Sequence, residues 1–224
     1  MARLTISWQT VNSVSPKAAT TKAEDLEEQT EEAKPEAQSS MRADRPSIVF
    51  VTADDPTQKI MRKLEDVVFK DERICIGAKF FRCVKVTEGD ALQDRILRET
   101  GKTAPRVVLM NCDYSVSSTL EGRSISASRL GKAMQKAVKK DYTNDYDKLL
   151  KSYAKLLNEF DRLEATRTKI ADTEKRLRDK PSASKSKKLE RMRAEYEKDQ
   201  ADWKEREAKL LELQLRNDPD KPEA

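Results

Sequence analysis

Two short apolar runs, Ile48–Val51 and Val107–Met110, stand out in the middle of the chain, and each is free of charge and rich in β-branched residues. Bounded by polar and turn-forming residues, both read as buried strands, Ser47–Thr52 and the run that opens after Pro105. Pro105 directly precedes the second, where it opens a strand without removing a ladder bond from its middle. A third run, Phe80–Val86, lies between them, and helical patterns fill both gaps. The first helix is expected over Thr57–Phe69, with Ile60, Met61, Leu64, Val67 and Val68 on one face and Asp54-Asp55-Pro56 as its start signal. Asp71–Arg73 breaks it, and Ile74–Lys79 is a connector with some helical character. Thr87–Asp90 turns into a second helix, Ala91–Glu99, closed by Gly101. Beyond the turn Asn111–Asp113, a fourth strand (Ser115–Leu120) and a reverse turn (Glu121-Gly122) lead to a last helix, capped by Ser126 or Ser128 and running through Leu130, Met134, Ala137 and Val138. The order β-α-β-α-β-β-α over residues 46–140 is long enough for one core.

From Asp141 the pattern becomes that of long helices. Leu149, Leu156, Leu163, Ile170 and Leu177 recur every seven residues, with Tyr146, Tyr153 and Phe160 at the companion position of the seam. Pro181 ends this helix, and a second carries Leu189, Tyr196, Trp203 and Leu210 at the same spacing. Two helices of about 34 and 30 residues, each about 45–50 Å long at 1.5 Å per residue, imply an antiparallel hairpin or coiled coil over 141–217. Leu150, Leu157, Leu211 and Leu215 lie beside the seam and are the candidate interface for a protein partner or a second copy of the chain; the alternative is that they widen the hairpin's own contact. The sequence leaves open whether the seam closes within one chain or between two. The basic run Lys185–Lys188 reads as a solvated turn.

The flanks are polar. Residues 1–45 are rich in Ala, Thr, Ser, Glu and Lys, lack a sustained apolar period and read as a disordered tail, as do residues 218–224. Leu4–Val11 is the exception, since its alternation of Leu4, Ile6 and Trp8 suits a short strand or a docking peptide; a frayed terminus is the simpler reading.

Composition narrows the function. Of 224 residues 38% are charged and 5% aromatic, and the net charge is +5. That excess is small, and aromatics are not interleaved with basic residues as a stacking platform requires, so nucleic acid is an unlikely partner. The absence of histidine removes the commonest metal ligand and general base, and Asp54/Asp55 is explained more simply by helix capping than by a cation. No metal or other cofactor is expected. The longest apolar runs are of four residues, so no membrane span is expected, and the N-terminus shows no secretory signal. Three cysteines without a CxxC point to a reducing, cytoplasmic setting.

Three stretches agree in order and spacing with a known family. Val68-Phe69-Lys70-Asp71-Glu72-Arg73, Phe81-Arg82-Cys83-Val84-Lys85-Val86 and Thr103-Ala104-Pro105-Arg106-Val107-Val108 together resemble a thioredoxin-like domain over residues 46–140, less than half of the chain. The resemblance implies a thioredoxin-like α/β fold and a cis Ala104–Pro105 bond, with the proline beside the site that is active in the enzymes. Those enzymes carry CxxC at the start of the first helix, where this chain reads Ala53–Met61 without a cysteine. Thiol–disulfide exchange needs a thiolate there, so the resemblance comes without its chemistry. Cys75 and Cys83 sit in apolar surroundings and read as core residues; Cys112, at a strand end, is expected to be the most exposed and is the candidate reactive thiol. The reading that emerges is a non-catalytic thioredoxin-like interaction or adaptor protein that uses its helical hairpin for partner binding or self-association. The alternative is an atypical thiol–disulfide oxidoreductase or redox sensor built on Cys112.

Overall fold

A computed structural model describes residues 4–14, 45–55 and 59–214. The chain divides into two compact units at Asp141/Tyr142.

The first unit is a mixed α/β structure around a five-stranded sheet. Its elements are β1 (Gln9–Thr10), β2 (Ser47–Thr52), α1 (Lys59–Lys63, continued by a π-helical turn Leu64–Val68), α2 (Glu72–Ala78), β3 (Arg82–Thr87), α3 (Glu88–Gln93), a 3-10 turn Leu97–Thr100, β4 (Arg106–Met110), β5 (Val116–Glu121), a 3-10 turn Gly122–Ser124 and α4 (Ala127–Asp141). The sheet order is β1-β3-β2-β4-β5. β1 and β2 run parallel to β3, while β4 runs antiparallel to both β2 and β5. Placing β2 at the centre explains its composition: a strand with neighbours on both edges and layers on both faces is buried throughout, which is why Ser47–Val51 carries no charge.

Alternation along the strands sends side chains to two layers. Val49, Val51, Val84, Val86, Val108 and Met110 form one, closed by Ala91 of α3 and Leu97. On the other, Phe50 meets Phe69 with ring centroids 4.9 Å apart and Trp8 at 5.7 Å. Lys85 Nζ lies 5.8 Å from the Trp8 ring, a cation–π contact that covers it.

Several boundaries differ from the sequence reading for local physical reasons. The first helix ends in a π turn, closed by the Phe69 N–H donating to Leu64 O at 2.8 Å. The wider turn brings Val68 and Phe69 inside and leaves Val67 61% exposed, although regular spacing puts Val67 on the apolar face. The expected start of that helix at Thr57, with Pro56, lies outside the described residues. The connector after Asp71 is a helix, because the Asp71 carboxylate accepts from the N–H groups of Arg73 and Ile74 at 3.0 and 3.2 Å and caps it. Residues 4–14 were expected inside a tail with a frayed end, yet Gln9–Thr10 pairs with Val84–Lys85 at the sheet edge. Their alternation meets an open parallel edge that only the folded sheet provides. Residues 1–3, 15–44 and 218–224, which hold the rest of the expected tails, lie outside the described residues, as do 215–217, the expected end of the hairpin.

The second unit consists of α5 (Tyr146–Asp179, 34 residues) and α6 (Ala183–Leu211, 29 residues). Asp145 caps α5 by accepting from the N–H groups of Asp147 and Lys148. The helices pair antiparallel within one chain. Thr143 N–H donates to Gln214 O at 3.0 Å, Trp203 Nε1–H to Leu156 O at 2.8 Å, and Arg193 meets Glu174 at 2.8 Å. Leu149, Tyr153, Leu156, Ile170 and Leu189 are buried along the expected seam. Among the described residues, no helix is long and apolar enough to cross a membrane.

Candidate functional site

The Ala104–Pro105 peptide bond is cis. Around it the chain builds a compact polar knot. Gly101 holds φ at 145°, and a Cβ there would lie 1.9 Å from Glu121 Oε1, so the carboxylate of β5 occupies space that only glycine leaves free. Glu121 Oε2 accepts from Thr103 Oγ1 at 3.1 Å, and Pro105 O accepts from Gly122 N–H at 3.1 Å. Arg106 follows the proline and is fully buried. Its Nη1 donates to Thr103 O at 3.1 Å and its Nη2 to Leu97 O at 3.2 Å, while Nε has no partner among the described residues. Burial lowers the Arg106 pKa, partly offset by Glu121 and then Glu88. The guanidinium thus ties the start of the 3-10 turn to the proline loop, and sequence reasoning missed it. Its signal was a lone cation at the head of an otherwise apolar strand.

Beside the knot, α1 and the turn after β5 enclose a cavity of about 390 Å³. Ile60, Leu64 and Ile125 supply its apolar part, and Lys59, Lys63 and Arg123 supply charge of one sign. These three cations are exposed and make no side-chain hydrogen bond or ion pair among the described residues. Gly122, at φ 50°, forms the remaining wall without a side chain. The charge comes from two segments about sixty residues apart in the chain, so no local motif announced it. A larger groove of about 710 Å³ has both signs, Arg95 against Glu99 and Asp113, and expresses no charge preference.

The thiols lie elsewhere. All three cysteines are buried, and no disulfide joins them. Cys75 Sγ–H donates to Phe69 O at 3.1 Å, and burial, then Asp71, raises its pKa. Cys83 is pushed up to about 12 by burial. Cys112, expected to be the most exposed, is instead fully covered at 0% exposure. The correction has a local cause: its backbone N–H donates at 2.7 Å to the buried carboxylate of Asp141, the last residue of α4, which fastens the strand end to that helix.

The candidate interface leucines divide. Leu157 is buried, contrary to its expected partial exposure, because the apolar stripe of α5 is wider than a single seam and includes Tyr153, Leu156 and Leu157 together. Leu150 and Leu211 are half-buried. Leu215 lies outside the described residues. Tyr153 hydroxyl donates to the Glu207 carboxylate across the hairpin, and Arg206 grips Glu159 through both terminal nitrogens at 2.5 and 3.0 Å. Burial, and then that Glu207 bond, raises the Tyr153 pKa. Among the described residues no group of His, Cys, Asp and Glu is arranged to hold a metal ion.

Comparison with protein-family models, curated proteins and solved structures finds no match.

Proposed function

We propose that this chain is a non-catalytic interaction protein: a thioredoxin-like head without a nucleophile, joined to a helical hairpin that binds a partner or a second copy. The observation that carries the reading is the placement of the thiols. All three are buried, and the residues that open the first helix contain none. Thiolate chemistry requires an accessible sulfur with a depressed pKa, whereas burial raises Cys75 and Cys83. The strand order, with β2 parallel to β3 and antiparallel to β4, and the cis bond before Arg106 support the thioredoxin-like reading of the head. The cationic cavity with an apolar floor is the part of the head best suited to recognition, and its charge favours an acidic segment carrying an aliphatic side chain. The oxidoreductase reading built on Cys112 has the burial of that sulfur against it.

Sedimentation of the full chain with and without reductant tests the reading. An association that persists in reductant and weakens in Leu150→Glu/Leu211→Glu supports it. A complex that disappears on reduction or in Cys112→Ser overturns it in favour of mixed disulfides.

A further inference from the structure

The hairpin separates its charges. Residues 175–192, which comprise the end of α5, the connecting loop and the start of α6, contain eight Lys/Arg and two Asp/Glu, a net of +6. The rest of residues 141–224 holds 13 Lys/Arg and 18 Asp/Glu, a net of −5. Folding brings the two halves of the basic stretch together at the closed end, so a run that reads as a solvated turn is half of a larger patch. All eight cations are exposed, and none makes a side-chain hydrogen bond or ion pair among the described residues. Of the neighbouring acidic groups, Glu174 is committed to Arg193.

At the start of α6 this arrangement is unfavourable by itself, whereas Arg176 and Arg178 complement the negative end of α5. The N-terminus of a helix is its positive end and favours acidic residues. α6 has no acidic residue in its first turn, Ser182 makes no side-chain cap, and Lys185, Lys187 and Lys188 crowd there instead. Like charges and an opposed dipole are offset when a polyanion lies against them.

We propose that the closed end of the hairpin is a docking surface for an anionic lipid bilayer. Two features favour a bilayer over nucleic acid. Residues 175–192 contain no aromatic side chain on which a base could stack, and the larger apolar ones, Leu177, Leu189 and Met192, are buried or half-buried. At 100° per residue, Lys175, Arg176 and Arg178 span about 160° of α5 with Lys180 just past its end, and Lys185, Lys187, Lys188 and Arg191 span about 160° of α6. The cations therefore form a broad face on each helix at the closed end and do not line a single narrow row along which a strand would lie. A plane of headgroup charge meets such an end without any demand on shape. Contact is to headgroups alone, because no large apolar side chain stands free there to enter the acyl region. The surface is built from residues 175–192 and shares none with the cavity of the head, so it stands independently of the function proposed above.

Co-sedimentation of the full chain with vesicles tests this, using phosphatidylcholine alone and phosphatidylcholine with phosphatidylserine. The wild type is expected to bind only the phosphatidylserine vesicles and to be released by salt. Lys185→Gln/Lys187→Gln/Lys188→Gln should weaken binding about 100-fold, at about a factor of five for each lysine. Lys148→Gln/Lys151→Gln/Lys155→Gln, on the body of α5, should change it less than about threefold. The tip variant relieves the dipole conflict, so its helical circular dichroism signal should be retained or melt later; should it melt earlier, the salt titration of the wild type decides. Equal binding to both vesicles, no binding to either, or full affinity in the folded tip variant overturns the proposal. So does tighter binding at the same salt to a DNA or RNA duplex, or to a poly-glutamate peptide, because the partner would then be that polymer.

Discussion

Asp94 is the residue on which attachment of the N-terminal segment should depend. Its carboxylate is 3% exposed and accepts from Ser13 Oγ at 2.6 Å, Val14 N–H at 2.8 Å, and Ile96 and Leu97 N–H at 2.9 Å each. Two of these bonds hold residues 13 and 14 to the head, and two initiate the 3-10 turn whose Leu97 fills the core. Hydrogen bonds to a charged acceptor contribute about 1.5–3 kcal/mol each, but bonds sharing one acceptor are not additive. Losing a cap costs about 1 kcal/mol. Asp94→Ala should therefore destabilise the head by about 3–4 kcal/mol, against about 1.5–2 kcal/mol for Ser13→Ala, which deletes a single donor. Urea denaturation measures both. Hydrogen exchange supplies the local readout, because Val11 N–H donates to Lys85 O at 3.1 Å and should lose protection in Asp94→Ala before the central strand does. A variant within about 0.5 kcal/mol of wild type would refute the reasoning. A destabilised variant with Val11 protection unchanged would refute the part that ties the segment to this carboxylate.

Gly101→Ala should cost about 1–3 kcal/mol from backbone strain alone, and more while Glu121 occupies the space; thermal melts of Gly101→Ala alone and with Glu121→Ala separate the two, and only the steric part should be recovered in the double variant. In the hairpin, Trp203→Ala should cost about 3 kcal/mol by removing the indole that packs at a tilt against Phe160 and bonds Leu156 O, whereas Arg206→Ala, an exposed pair with Glu159, should cost at most about 1 kcal/mol; equal effects in urea titrations would contradict this. Burial keeps Cys83 protonated in the fold up to about pH 12, whereas the unfolded chain releases the proton near the ordinary thiol value of 9.0. The folded state then holds the proton longer, so this group's stability contribution is complete below about pH 9 and falls at about 1.4 kcal/mol per pH unit until about pH 12. Cys83→Ala should flatten that alkaline slope in denaturation curves, and rapid alkylation of native Cys83 at pH 8 would contradict the burial.

The sequence by itself determined features that depend on spacing along the chain. Charge-free Ile48–Val51 and Val107–Met110 became buried strands, and a seven-residue seam from Leu149 onward became a long helix. The absence of a cysteine from Ala53–Met61 was equally plain. These are local signals, since strand and helix geometry alone dictate which residues share a face. The tertiary structure decided what depends on distant segments converging. Arg106 stood only as a lone cation at the head of an apolar strand until the carbonyls of Leu97 and Thr103 met its guanidinium, and Cys112 looked exposed until Asp141 bonded its backbone. Gln9–Thr10 needed the β3 edge, and the π turn needed Phe50 as a partner for Phe69. The cationic cavity joins Lys59 and Lys63 to Arg123, and the basic end of the hairpin joins Arg176 and Lys180 to Lys187, both through chain reversals. Burial and electrostatic potential are sums over everything nearby, and linear order states neighbours along the chain but not neighbours in space.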